Sequence, residues 1–287
     1  MQKSGYECRI MGIPKTIDND LFGTDHCPGF ASAAKYIATS VAEISRDNKV
    51  YDLTSVIIFE IMGRNAGWLA ASAALANDCD EGPDLVYLPE VPFSIEQFMS
   101  DIKAVSEKKQ SIIVAVSEGI RDKDGKFISE YGSDLAQQKD AFGHSQMGGL
   151  AATLANMVKA ETGFKTRGIE LSLLQRCAAH SASQTDVDEA YMAGEAAVLR
   201  AVEGNTDMMI GFKRAEGKEY VCETFMLPLT EVANAEKTVP VEWINAEHNN
   251  VNEKFMEYAL PLIAGEARPE YENGLPRFAK LAKVLAK

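Results

Sequence analysis

The chain has 287 residues, 46% of them hydrophobic, and a formal net charge of −13, with a pI near 4.9. That length can bury a large core as one domain or two, and the acidity argues against nucleic acid or an anionic membrane surface as a general partner. A local cluster of Arg and Lys can still receive an anionic substrate, because salt screens the distant Asp and Glu excess. Cys8, Cys27, Cys79, Cys177 and Cys222 form no C-x-x-C pair and have no His at ligand spacing. Reduced thiols in a cytoplasmic protein are expected, rather than disulfides or structural zinc. No run of about eighteen apolar residues marks a membrane span, and the first ten residues lack a signal-peptide core.

In chain order, Glu7-Cys8-Arg9-Ile10-Met11 reads as the end of a strand, followed by the loop Gly12-Ile13-Pro14-Lys15-Thr16-Ile17-Asp18-Asn19-Asp20. Pro14 cannot donate to a ladder and biases its predecessor towards an extended conformation, so the strand stops there. Within the loop, Lys15 can meet an anionic oxygen, Asp18 can accept a proton, and Asp20 can order a cation or its waters. A turn with its charges in water fits the same composition. Residues 24–29 offer capping side chains and a proline near a first turn, with His26 as a capping or loop residue. Apolar positions at Phe30, Ala33, Ala34, Ile37, Val41 and Ile44 predict a helix to about Asp47.

Residues 55–62 form a β-branched apolar run of the kind covered on both faces. They lead into Met62-Gly63-Arg64-Asn65-Ala66-Gly67-Trp68 and an alanine-rich helix over 69–77. Strand, Gly-containing loop and helix suit anion binding, and equally suit close helix–sheet packing. A strand over 85–90, an amphipathic helix over 94–108 with Ser94 as N-cap and Gln97 at capping-box distance, and a buried-type strand over 111–117 follow. Glu118 then sits where α/β sheets bind ligands. Lys123-Asp124-Gly125-Lys126 reads as a turn or hairpin, and 150–161 as a helix. Arg167 and Arg176 flank a predicted strand. A helix over 182–203 buries Ala190, Ala193, Ala197, Val198 and Ala201, and two strands lie at 208–212 and 220–224, near a turn at Glu216-Gly217. A proline-broken tail closes the chain from 240.

The segments Lys15–Asp20 and Met62–Trp68 resemble two signatures of the phosphofructokinase family, the first in the form found in its pyrophosphate-dependent members. The resemblance covers nearly the whole chain and is strongest at 12–20, 62–68, 117–119 and 167–186. It implies that Asp18 is the base taking the proton from the 1-hydroxyl of fructose 6-phosphate. Lys15, where ATP-using relatives commonly carry glycine, is implied to go with pyrophosphate as donor. Thr16 and Ile17 are implied to orient the substrate, Met62, Gly63 and Arg64 to contact the sugar, and Glu118 to hydrogen-bond its hydroxyls. Arg167 and Arg176 correspond to the pair that grips the 6-phosphate, one of them supplied by a neighbouring subunit. Two guanidiniums there would give bidentate, charge-assisted hydrogen bonds. Mg²⁺ is the implied cofactor, with Asp20 as a candidate ligand through water, and a homo-oligomer (dimer or tetramer) of glycolysis is the implied assembly.

Departures from the family pattern are specific. Ser55 stands where many relatives have an arginine donated across the subunit interface, and Leu173 where many have a phosphate-binding histidine. The segment from Phe142 to Gly149 imitates a family motif, but Met147 occupies its arginine position, so His144 is left as a loop residue. Family members also carry a front segment with Gly-rich turns for the donor phosphates and an Asp for Mg²⁺; no such turns and no Walker A sequence occur in this chain. The expectation is an α/β fold with two parallel-sheet domains. Residues 1–30 and 175–235 belong to an incomplete donor-side domain, 31–174 to a sugar-phosphate domain, and 236–287 to a wrapping tail. As a C-terminal fragment it would be inactive alone. The alternatives are a non-catalytic sugar-phosphate-binding or regulatory subunit, and an ATP-dependent kinase.

Overall fold

The computed structural model describes residues 4–131, 149–217 and 219–285; His144 and Met147 lie outside them. At its centre is β2 (Ser55–Ile61), buried along its whole length. It pairs in parallel with β4 (Ser111–Ser117) on one side and β5 (Lys165–Glu170) on the other, and β3 (Leu85–Tyr87) completes the order β3-β4-β2-β5. Side chains alternate between faces along a strand, and each face of this sheet has its own core. On one, Ile57, Phe59, Ile61, Ile113 and Ala115 pack with α1 (Phe30–Asn48) and α2 (Trp68–Ser72). On the other, Val56, Ile58, Ile112, Val114 and Val116 pack with α3 (Ile95–Ser106) and α4 (Leu150–Thr162).

A smaller sheet, ordered β1-β7-β8, is mixed. β1 (Met11–Gly12) runs parallel to β7 (Met208–Arg214), while β8 (Cys222–Pro228) returns antiparallel to β7. The expected parallel pairing holds in the larger sheet and between β1 and β7. Within these two sheets β8 alone departs from it, because a short connection joins β7 to β8 and parallel neighbours need a long crossover. A two-residue strand β6 (Ala182–Ser183) pairs with β9 (Glu266–Ala267).

α5 (Gln184–Val202) lies against this smaller sheet, with Ala193 and Ala197 inside. Ala190 and Val198 are exposed, contrary to expectation. The inner positions preceding Ala193 are taken by the carboxylates Asp186 and Glu189, which turns the buried stripe away from Val198. The helix expected at 69–77 divides into α2 and a 3₁₀ segment, Ala73–Cys79. Ser94 caps α3 by accepting from the Gln97 N–H at 3.2 Å, but the Gln97 side chain donates to Asp101 instead of closing a capping box.

Two carboxylates hold the start of α4: Glu60 accepts from Ala151 N–H and Glu170 from Gly149 N–H, both at 2.9 Å. Burial, reinforced by the charges of Glu170 and Glu118, pushes the Glu60 carboxyl up to about 7 against the pull of that amide. The C-terminal segment, with α6 (Leu229–Val232) before it and α7 (Glu253–Ala259) within it, returns to the larger core. There Trp243, Phe255 and Tyr258 cluster with Trp68 at centroid distances of 5.2–6.5 Å. Among the described residues no helix is long and apolar enough to cross a membrane.

Candidate active site

The loop after β1 and the carboxyl end of β2 face one cavity of about 680 Å³, lined by Lys15, Thr16, Ile17, Asp18, the start of α1, Met62, Leu173, Gln175 and Arg176. The crevice beyond the carboxyl ends of parallel strands is where α/β sheets place their ligands. The loop is shaped by its own side chains. Thr16 Oγ1 accepts from Asp18 N–H at 3.1 Å. Asn19, fully buried with φ 57°, accepts from Cys27 N–H at 3.0 Å and donates to Tyr258 Oη at 2.9 Å. Asp18 is half-buried, yet its Oδ1 is fully enclosed and has no hydrogen-bond partner among the described residues. Loss of hydration, then the neighbouring Asp20 charge, raises the Asp18 carboxyl, while Lys15 and Arg176 draw it back.

Glu118 and the loop 62–64 are packed together by small residues. Glu118 N–H donates to Ile61 O at 2.8 Å, and Glu118 Oε1 accepts from Gly63 N–H at 3.4 Å. Ser117 Oγ donates to Gly63 O at 2.5 Å and accepts from Gly119 N–H at 3.2 Å. Gly63 has φ 128°, and a Cβ on Gly119 would lie 2.0 Å from Arg64 O. Two glycines therefore permit this crossing. Burial raises the Glu118 carboxyl, as does the charge of Asp18, while the Gly63 amide and Arg64 lower it. Asp18, Glu118 and Arg64 thus form one electrostatic group.

Arg176 ends a 3₁₀ turn, Ser172–Arg176, that also presents Leu173, 55% exposed, to the cavity. Gln175 in the same turn is buried, and its Oε1 accepts from Met62 N–H at 3.3 Å. Arg167 is not brought into this cavity. It lies within β5 instead of flanking it, paired in register with Ile57, and lines a separate small cavity with Asp47, Tyr51 and Ser55. Four residues separate Ile57 from Ile61, about 13 Å along a strand, so Arg167 and Arg176 do not converge within one chain.

The sequence reading missed Asp186. No side chain from 24–29 caps α1, whose N-cap is Gly29. The Asp186 carboxylate, from α5, accepts from Gly29 N–H, Ser32 N–H and Ser32 Oγ at 2.8, 3.0 and 2.5 Å. His26, read as a cap or loop residue, is buried between Asp25 and Glu189 at 2.8 and 2.6 Å. Burial opposes its charge, but those two carboxylates prevail and raise its pKa. With Cys222, His26 and Glu189 are the one group among the described residues with three metal-ligating atoms close together. Asp18 lines the cavity, and Asp20, outside its lining, is a neighbouring carboxylate whose charge raises the pKa of Asp18. That suits a hard cation which keeps most of its waters and is shared with phosphate oxygens, not an all-protein cage.

Fold and site define an α/β protein with a cavity at the end of a parallel sheet, where the Asp18 carboxylate lies with Lys15 and Arg176. A family model described as phosphofructokinase matches residues 1–198. The pyrophosphate–fructose 6-phosphate 1-phosphotransferase of Halomonas elongata is 43% identical over 98% of this chain and 67% of its own. That of Methylococcus capsulatus is 44% identical over 99% and 67%. The crystal structure of pyrophosphate-dependent phosphofructokinase from Marinobacter aquaeolei superposes with a TM-score of 0.88 at 38% identity, covering 100% of this chain and 68% of that one. The chain belongs to the phosphofructokinase family. It spans about two thirds of the length of these relatives.

Proposed function

We propose that this chain acts in transfer of a phosphoryl group from pyrophosphate to the 1-hydroxyl of fructose 6-phosphate, the reaction named for its relatives. The observation that carries the reading is that Asp18 lines a cavity with Lys15 and Arg176 while its Oδ1 is enclosed and unpartnered among the described residues. A buried acceptor without a donor is costly, and the hydroxyl of a bound sugar supplies that donor. Asp18 accepts its proton as the hydroxyl oxygen attacks one phosphorus of pyrophosphate, whose bridging P–O bond breaks to release phosphate. Lys15 offsets charge gathering on the pyrophosphate, and Thr16 and Ile17 position the sugar. Met62, Gly63, Arg64 and Glu118 hold the sugar ring, and Arg176 takes the 6-phosphate.

Asp20, with Asp18 beside it, would hold Mg²⁺ through water, and the ion would supply charge neutralisation on the transferring group. β5 is an edge strand and Arg167 on it is exposed. We assign Arg167 to the 6-phosphate of a second copy, which makes the working unit a homo-oligomer. Residues 1–30 and 175–235 form the donor-side unit in this reading, and 31–174 the sugar-phosphate unit. A cytoplasmic setting fits the five free cysteines.

The test is Asp18→Ala. Turnover of the complete enzyme with pyrophosphate should fall about 10²–10⁴-fold, while fructose 6-phosphate affinity measured by calorimetry changes little. Equal turnover in the variant refutes the assignment.

A further inference from the structure

The two halves of the proposed site, the loop carrying Asp18 and the loop 62–67, are joined by a segment far away in the chain and outside the residues matched by the family model. Glu236 Oε1 accepts from Asn65 Nδ2 at 2.9 Å, and Leu21 and Glu236 form an antiparallel bridge. Lys237 N–H donates to Asp20 O at 2.7 Å, and Lys237 O accepts from the Trp68 indole at 2.9 Å. Val239 N–H and Gly67 N–H both donate to Glu90 Oε1, at 2.9 and 2.8 Å. The Lys237 ammonium then enters the base-bearing loop. It donates to Asn19 Oδ1, Thr24 O and Asp25 O at 3.2, 3.1 and 2.6 Å, and lies 5.0 Å from the Trp68 ring centre.

We propose that residues 236–239 are a positioning strap, with Lys237 as its key residue, that sets the distance between the proton-accepting loop and the sugar-holding loop. Lys237 has three N–H donors and no acceptor, and the loop offers it three oxygens, two of them main-chain carbonyls. A lysine so placed fixes the path of the backbone around Asn19, and with it the residues on either side, Asp18 and Asp20. Tyr258 works from the same side: it accepts from Asn19 and donates to Asp25 O at 2.8 Å. The hydrogen bonds of its hydroxyl among the described residues are with Asn19 and Asp25, whereas the strap holds both loops. Lys237 touches no reacting atom, so it acts through Asp18 and is not a catalytic residue. The inference rests on the roles proposed above for Asp18 and for residues 62–64.

The experiment compares wild type, Lys237→Met, Glu236→Ala and Tyr258→Phe by hydrogen–deuterium exchange resolved to peptides and by calorimetric titration with fructose 6-phosphate. In Lys237→Met, peptides covering 16–27 and 62–67 should exchange faster together while β2 and β4 keep wild-type protection, and affinity should fall tenfold or more. Glu236→Ala, at the surface, should loosen 62–67 with a smaller loss of affinity. Tyr258→Phe should loosen 19–27 alone. Wild-type exchange in both loops of Lys237→Met, or acceleration spread evenly through the sheet, overturns the strap. If Lys237→Met does not fold, the separate effects of Glu236→Ala and Tyr258→Phe decide the matter, and loosening of the same peptides by both overturns it. A wild-type chain that takes up no fructose 6-phosphate counts against the proposed function, and the exchange data still judge the strap.

Discussion

Gly119→Ala tests how the sugar-holding loop is seated. A Cβ there would lie 2.0, 2.5 and 2.8 Å from the carbonyl oxygen, carbonyl carbon and Cα of Arg64, where ordinary contact begins at 3.4 Å. The obstruction is backbone, so the Arg64 peptide must retreat by more than an ångström. Forcing an extra methyl into a close-packed site costs about 1–3 kcal/mol, and a chain of this size loses roughly 2–4 °C of Tm per kcal/mol. In the role proposed for Arg64, the retreat would also withdraw it from a bound sugar. A hydrogen bond to a charged group contributes about 1.5–3 kcal/mol, so fructose 6-phosphate affinity should fall about 10- to 100-fold. Calorimetry of unfolding and of ligand titration reads both effects. Gly194→Ala on α5 is the control: nothing lies within 4 Å of its Cβ and its φ is not positive. That change should stabilise by about 0.4–1 kcal/mol and leave affinity alone. An unchanged Tm in Gly119→Ala refutes the close crossing. A lowered Tm with unchanged affinity refutes the role of the 62–64 loop in binding.

Two further outcomes follow from buried carboxylates. Glu60 has a folded-state pKa raised to about 7 from an ordinary 4.5, so its contribution is fully present below the unfolded value and is lost as pH rises through 7. That loss is on the order of 3 kcal/mol. Glu60→Gln should therefore gain stability relative to wild type between pH 5 and pH 8 in urea titrations; parallel curves would dismiss the burial argument. Asp186→Ala removes the acceptor of three donors at the start of α1 and should destabilise by roughly 2–4 kcal/mol, read from the same titrations. A loss below about 1 kcal/mol, less than a helix cap alone commonly contributes, would mean that water replaces the carboxylate.

Periodicity made the larger sheet readable, because β2 and β4 are apolar on both faces and the helices between them keep a clear stripe. The smaller sheet was less so: β1 is two residues long and β8 is partly exposed. The candidate site residues inside contiguous motifs, Lys15 to Asp18, Met62 to Arg64 and Glu118, could be nominated from sequence because each motif is a short continuous stretch of chain. Asp186 and Lys237 were not, since their partners lie 154–157 and 212–218 residues away and a carboxylate or ammonium carries no mark of a distant partner. Arg167 was paired with Arg176 through the family resemblance, one of them expected from a neighbouring subunit. Spacing does not report that β5 carries Arg167 to a different cavity.

The chain contains two tryptophans, and both sit in one aromatic cluster, their rings 6.0 Å apart and nearly perpendicular. Intrinsic emission therefore surveys a single seam, where the returning C-terminal stretch meets the first turn of α2, and is blind to the sheet edges. A fluorescence melt that precedes the loss of circular dichroism would mark that seam as the first part of the molecule to open.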